Sequence, residues 1–224
     1  MSLPKIFVGI PQPDYTHHWF QESLYNFIIA NFQEYQLQRY HVVGSVIAMN
    51  RNRLVRAAQE AQADYLLQID ADSVFPPSAL KRLMTSNKDI IGATTTKRDG
   101  STTRPMCEPM VKDIKVTVED PVIPVKLIGM NFMLTKMEVF DKIEAPWYAE
   151  PPREMMFGGK VYDPTLPELV GEDEYFCIKA REAGYDVFCD MLLSMEMGHI
   201  GIKSYFIAPN SPPPTTKPLN IITG

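Results

Sequence analysis

Short apolar runs alternate with longer amphipathic stretches along the first 95 residues. Residues 5–10 (KIFVGI) predict a strand, ended by Pro11 and Pro13. Residues 17–33 place Phe20, Leu24, Phe27, Ile28 and Phe32 near helical spacing, which predicts an amphipathic helix. Residues 41–47 (HVVGSVI) read as a second strand. Residues 50–61 read as a second helix with Leu54, Ala57, Ala58 and Ala61 on one face. The apolar run 65–69 (YLLQI) predicts a buried strand that stops at Asp70-Ala71-Asp72. Pro76-Pro77 opens a third helix with Leu80, Leu83 and Met84 inward. Residues 89–95 (DIIGATT) then return to a strand. Strands alternating with helices imply an α/β fold with a mostly parallel sheet, flanked by helices, and ligands at the carboxyl ends of the strands. Pro11, Gln12, Asp70 and Asp72 all fall at such ends.

After Lys97 the alternation breaks. KRDGSTTRPMCEP predicts a loop, whose Lys97, Arg98 and Arg104 either meet phosphates or are solvated. Residues 122–134 read as strand material with Gly129 at a bend or close approach, and 137–143 as a short helix. A second irregular region runs from Pro146 to Gly159, where Trp147 either packs or stacks on a sugar ring. Residues 171–184 (GEDEYFCIKAREAG) predict a helix with Phe176, Ala180 and Ala183 inward and Gly184 as its C-terminal cap. Residues 185–190 follow as a strand, and SMEMGHIG sets His199 among glycines. From Phe206 onward the prolines exclude regular structure. The organisation expected is one domain over residues 1–205, with 206–224 an extended Pro-rich tail lying on the body or on another subunit.

Composition narrows the function more than the fold. A chain of 224 residues, 45% hydrophobic and 22% charged, suits one globular domain. A formal net charge of −5 argues against general binding to a nucleic-acid backbone. No apolar run approaches membrane-spanning length, and the first residues do not form a signal peptide. Cys107, Cys177 and Cys189 cannot all pair within one chain, so reduced thiols and a cytoplasmic location are expected.

Four stretches carry candidate chemistry. If the central strand continued to Asp72, its two aspartates would point the same way, about 6–7 Å apart. Their repulsion, about 3 kcal/mol at 5 Å and an effective dielectric of 20, would turn to attraction around Mg²⁺ or Mn²⁺. The alternative is that Asp72 caps the following helix. Arg51, Arg53 and Arg56 crowd the opening of the second helix. They either hold an anion there or lie on a solvated face. Glu172, Asp173 and Glu174 crowd the start of a later helix, where acids are also stabilised by the dipole alone. His199 is a metal-ligand candidate given the Asp-x-Asp, and a structural histidine otherwise.

Taken together, NRNRLVRAAQEAQADYLLQ leading into DAD, VFPPSALKRLM after it, the later GED and the final GHIG resemble a GT-A glycosyltransferase, closest to the family-2-like group. The resemblance covers about residues 4–203. It implies a GT-A (Rossmann-like) fold with a small antiparallel acceptor-side portion. It also implies hexosyl transfer from a UDP- or GDP-sugar to an acceptor hydroxyl. By that resemblance Asp72 and His199 would bind Mn²⁺ or Mg²⁺, bridging the two phosphates. Asp70 would touch the metal, the ribose or the sugar, with Ala71 beside it. Pro11 and Gln12 would lie against the nucleobase, Arg51 and Asn52 near the nucleoside or diphosphate, and Gly129 on the pocket floor. Asp173 would be the general base of an inverting transfer, its pKa kept low at the helix start, and Glu172 would orient the acceptor.

Two other functions remain open on sequence. A sugar-1-phosphate nucleotidyltransferase shares such a sheet, but GIPQPDYTHH lacks the glycine-rich basic loop those enzymes carry after the first strand. A non-catalytic sugar- or nucleotide-binding module would keep the pocket, but retention of Asp70, Asp72, Asp173 and His199 together argues against it. Homo-oligomerisation is left open.

Overall fold

The computed structural model describes residues 2–12, 15–97, 105–111, 114–157, 167–201 and 205–206. The first half of the chain forms β1 (Lys5–Gln12), α1 (His18–Asn31), β2 (Gln36–Val43), α2 (Ile47–Glu60) and β3 (Tyr65–Ile69). A short β4 (Ser73–Val74), α3 (Ala79–Thr85) and β5 (Ile90–Ala93) follow. The second half adds β6 (Cys107–Pro109), β7 (Val122–Ile128), β8 (Phe132–Lys136), α4 (Met137–Lys142) and α5 (Arg153–Phe157). It closes with α6 (Glu172–Glu182), β9 (Val187–Asp190), α7 (Met191–Glu196), β10 (Gly198–His199) and β11 (Tyr205–Phe206).

Among the described residues, eight strands make the main sheet in the order β2-β1-β3-β8-β5-β9-β7-β6. β1 pairs in parallel with β2 and with β3, and β5 in parallel with β9. β8 enters antiparallel between β3 and β5, and β7 antiparallel beside β9. All strands of this sheet but β7 and β8 therefore run the same way, and β4, β10 and β11 form a separate antiparallel sheet. The antiparallel part lies towards the β6 edge, where β6 pairs with β7.

Strand alternation fills two cores, one on each face of the sheet. Ile6, Val8 and Ile10 face one side with Leu67, Ile69 and Ile91. Phe20, Leu24 and Phe27 of α1 cover them, with Leu80 and Leu83 of α3. Phe7, Leu66 and Ile90 face the other side against Leu54, Val55 and Ala58 of α2, Phe140 of α4 and Phe176 of α6. Burial of each large side chain here contributes about 2 kcal/mol. The helix ends follow local chemistry. His17 Nδ1 accepts the Trp19 amide at the start of α1. Gly184, at φ +87°, takes the left-handed conformation that ends α6.

Three expected elements shift. The second strand begins at Gln36 and ends at Val43, because it is the exposed sheet edge and carries little apolar alternation. Its successor α2 begins at Ile47, so Arg51 lies in the second turn and not at the opening. The stretch 122–134 is two strands that meet different partners, with Gly129 between them. Phe206 ends β11. The remainder of the Pro-rich tail, 207–224, lies outside the described residues, as do Arg98 and Arg104.

Candidate active site

The strand order sets the site. β1 is followed by β2 on one side and, after α2, by β3 on the other. The chain therefore leaves the carboxyl ends of β1 and β3 in opposite directions and opens a crevice between them. A cleft of about 670 Å³ occupies that place. Pro11 and Gln12 of β1, Gly44 and Ser45 before α2, and Arg51 of α2 form one wall. Asp70, Ala71 and Asp72 form the floor, and Glu172 and Ile200 come from later segments.

β3 ends at Ile69, so the two aspartates do not share a strand face. The amide of Asp70 donates to Asn131 O at 3.0 Å, and that of Ser73 donates to Asp70 O at 3.0 Å, which closes a turn. The turn sends the two carboxylates to different partners. Asp70 Oδ1 accepts from Arg51 Nη2 at 2.8 Å. Asp72 Oδ2 lies 3.7 Å from His199 Nε2.

β10 brings His199 to Asp72. It pairs antiparallel with β4, setting His199 opposite Ser73, and the Ile200 amide donates to Asp72 O at 2.7 Å. His199 is buried, and its Nδ1 donates to Thr96 O at 3.1 Å. Since a carbonyl only accepts, Nδ1 carries a proton, and Nε2 is the ring nitrogen that faces Asp72. A histidine that binds a metal through Nε2 needs Nδ1 occupied in this way and Nε2 deprotonated. The two atoms, 3.7 Å apart, need only small adjustments to share a cation with bonds of about 2.1 Å. The donor set therefore fits Mg²⁺ or Mn²⁺. Among the described residues no group of three or more His, Cys, Asp or Glu gathers to hold a metal. The expected trio of Asp70, Asp72 and His199 is thus not assembled, because Arg51 draws Asp70 away.

Arg51 is 2% exposed. It donates through Nε to Glu172 Oε1 at 3.2 Å and through Nη1 to Gln68 Oε1 at 3.2 Å. Burial opposes its charge, but Asp70 and Glu172 outweigh burial and raise it above its ordinary value. Desolvation pushes Asp70 up, and Arg51 opposes that rise. Arg51 lines the cleft, and its guanidinium meets two neighbouring carboxylates there.

Asp173 is not in the cleft lining. Its Oδ1 folds back to accept the Glu174 amide at 2.7 Å, against Gly171. Burial and the neighbouring Glu172 push its carboxyl above the usual range, although backbone amides and Arg51 oppose them. The expected low pKa is overturned, because desolvation outweighs the helix start. Asn52 also stands apart from the cleft. Its Nδ2 donates to Ala48 O and Tyr148 O, and its Oδ1 accepts from the Trp147 and Tyr148 amides. Gly129 lies behind the floor, its amide bonded to Met106 O, where an added Cβ would meet Thr94 Oγ1 at 3.0 Å. Trp147 packs, its Nε1 donating to Phe140 O and Ile143 O.

Sequence reasoning missed several contributors. Asn131 joins the floor to β5, its Oδ1 accepting from Thr94 Oγ1 at 2.8 Å and its carbonyl from Asp70. Tyr148 OH accepts from Gln68 Nε2 at 2.6 Å beneath Arg51. His41 Nδ1 lies 2.5 Å from Gln12 Oε1 at the cleft wall, and burial followed by Arg39 lowers its pKa. No motif marked these residues; a polar side chain within an apolar run, such as Gln68 in YLLQI, was the available signal.

No family model matches the sequence, and no curated protein matches it. Solved structures do share the fold. A197 from STIV is 15% identical with a TM-score of 0.58, covering 91% of this chain and 94% of that one. GalNAc-T7, solved with UDP, GalNAc and Mn²⁺, is 13% identical with a TM-score of 0.53. That likeness covers 95% of this chain and 45% of the GalNAc-T7 chain. The fold is GT-A-like: mixed α/β, with a large mostly parallel sheet flanked by helices.

Proposed function

We propose that the chain is a metal-dependent glycosyltransferase that moves a sugar from a nucleoside-diphosphate donor to an acceptor hydroxyl. The observation that carries this reading is the Asp72–His199 pair, 3.7 Å apart, beside a cleft of about 670 Å³ at the carboxyl ends of β1 and β3. A cleft of that size suits a small-molecule ligand. Solved GalNAc-T7, of the same fold, holds UDP and Mn²⁺, which supports the choice of ligands.

In this reading Asp72 and His199 hold Mn²⁺ or Mg²⁺, whose chemistry is to neutralise charge on the leaving diphosphate. Pro11, Gln12 and Ala71 bound the nucleoside end of the cleft. Arg51 keeps Asp70 and Glu172 on opposite sides of it. The transfer is inverting, and the start of α6 supplies the carboxylate that takes the acceptor hydroxyl's proton. Asp173 is the proposed base, its raised pKa bringing it nearer neutral pH, and Glu172 orients the acceptor.

Calorimetry with UDP or GDP and Mn²⁺ tests the donor half. Asp72→Ala is expected to abolish metal-dependent binding, and unchanged affinity would sink the metal assignment. Asp173→Asn is expected to keep that binding and lose transfer. Incubation with nucleotide-sugars and Mn²⁺ separates this reading from its rivals, since slow release of free nucleoside diphosphate is expected only from a transferase.

A further inference from the structure

Two cleft carboxylates come from distant parts of the chain, Asp70 from the turn after β3 and Glu172 from the first residue of α6. One buried group meets both. Arg51 Nη2 reaches Asp70 Oδ1 at 2.8 Å, and Arg51 Nε reaches Glu172 Oε1 at 3.2 Å. The third contact, from Nη1 to Gln68 Oε1, fixes the plane of the fork. Gln68 is itself held by Tyr148, which stacks on Phe176 of α6 at 5.0 Å. The guanidinium therefore cannot turn without losing partners on β3 and on α6. Its position in the second turn of α2 follows from Leu54, Val55 and Ala58, which are buried in the core.

We propose that Arg51 is a positioning residue, which sets the donor-side floor at Asp70 and the acceptor-side carboxylate at Glu172 relative to each other. The proposal rests on the transferase reading and adds to it a single cation joining the two substrate sides. Arginine suits this role because its planar fork holds N–H donors in fixed, separate directions towards two carboxylates and Gln68; the three donors of a lysine ammonium sit on one point charge at the end of a flexible stem. Asp70 is thereby spent on geometry, and cation binding is left to Asp72 with His199.

The test is steady-state kinetics of the full chain with a nucleotide-sugar and Mn²⁺, comparing wild type with Arg51→Lys. Arg51→Lys is expected to lower kcat by about a hundredfold, the effect of displacing a reacting group by about 1 Å. Donor KM is expected to stay within about threefold, because Asp72 and His199 are untouched. A structural role alone would lower the melting temperature and leave kcat per folded molecule unchanged. If Arg51→Lys does not fold, Gln68→Met carries the test. It removes the contact that fixes the plane of the guanidinium and leaves Asp70, Glu172, Asp72 and His199 in place, and a loss of kcat at constant KM is expected. Wild-type kcat in either folded variant overturns the positioning role alone. A wild type that turns over no donor overturns the transferase reading and this role with it.

Discussion

At the scale of single residues, the site is governed by where carboxylates lose water. Burial and Glu172 raise Asp173 above the ordinary aspartate value of about 3.9. The folded state therefore holds that proton more tightly than the unfolded chain does. Its contribution to stability is fully present below the unfolded value and is lost as pH rises through the higher folded value. Asn at this position stays neutral throughout. The melting temperature of Asp173→Asn, measured against wild type, is expected to be similar near pH 4 and progressively higher towards pH 7. A difference that stays flat across this range would contradict the burial argument. Gly171 has a related constraint: an added Cβ would stand 2.8 Å from Asp173 Oδ1. Gly171→Ala should push that carboxylate off the α6 amides, and the Glu174 amide should then exchange faster with solvent.

At the scale of elements, Asn52 does unusual work for a residue on α2. One donor contact and two acceptor contacts fasten the backbone of Trp147 and Tyr148 to the helix, and its other donor contact goes to Ala48 O of α2 itself. Asn52→Ala leaves those part-buried amides and carbonyls without it, which costs about 3 kcal/mol. The fall in unfolding free energy by denaturant titration measures this, and local release of residues 147–148 would appear as faster amide exchange there. Elements were legible in sequence where a side chain's period matched its burial. YLLQI, KIFVGI and Phe20, Leu24, Phe27 and Ile28 of α1 read correctly because each faces a packed core, whereas Phe32, past the end of the helix, is exposed. QLQRY, the first part of β2, did not read as a strand because an edge strand exposes much of both faces, so no period survives. The α7 turn between β9 and β10 was missed because six residues give too short a window. At the site, DAD and GHIG marked Asp72 and His199, which the fold brings together. The same motifs could not reveal that Arg51 takes Asp70, since helical position 51 and the turn after residue 69 meet only through tertiary packing.

At the scale of the whole molecule, a ligand held at the β1–β3 crevice should stabilise everything packed on those strands. Binding at a hundred times the dissociation constant contributes about 2.7 kcal/mol. For a chain of this size that raises the melting temperature by about 5–10 °C. The expected result is such a shift with nucleoside diphosphate and Mn²⁺ together, and little with the nucleotide alone in the presence of a chelator. Equal shifts with and without the metal would show that Asp72 and His199 bind no bridging cation. Among the described residues no helix is long and apolar enough to cross a membrane.

The pairing of β10 with β4 ties a late segment of the chain to a turn laid down some 125 residues earlier. Both sheet cores are built mainly from residues that precede it. A polypeptide halted at residue 197 would keep most of that packing yet lack the imidazole. On the proposed reading such a fragment is expected to fold and to show no metal-dependent nucleotide binding, which a thermal-shift comparison with the longer chain would check.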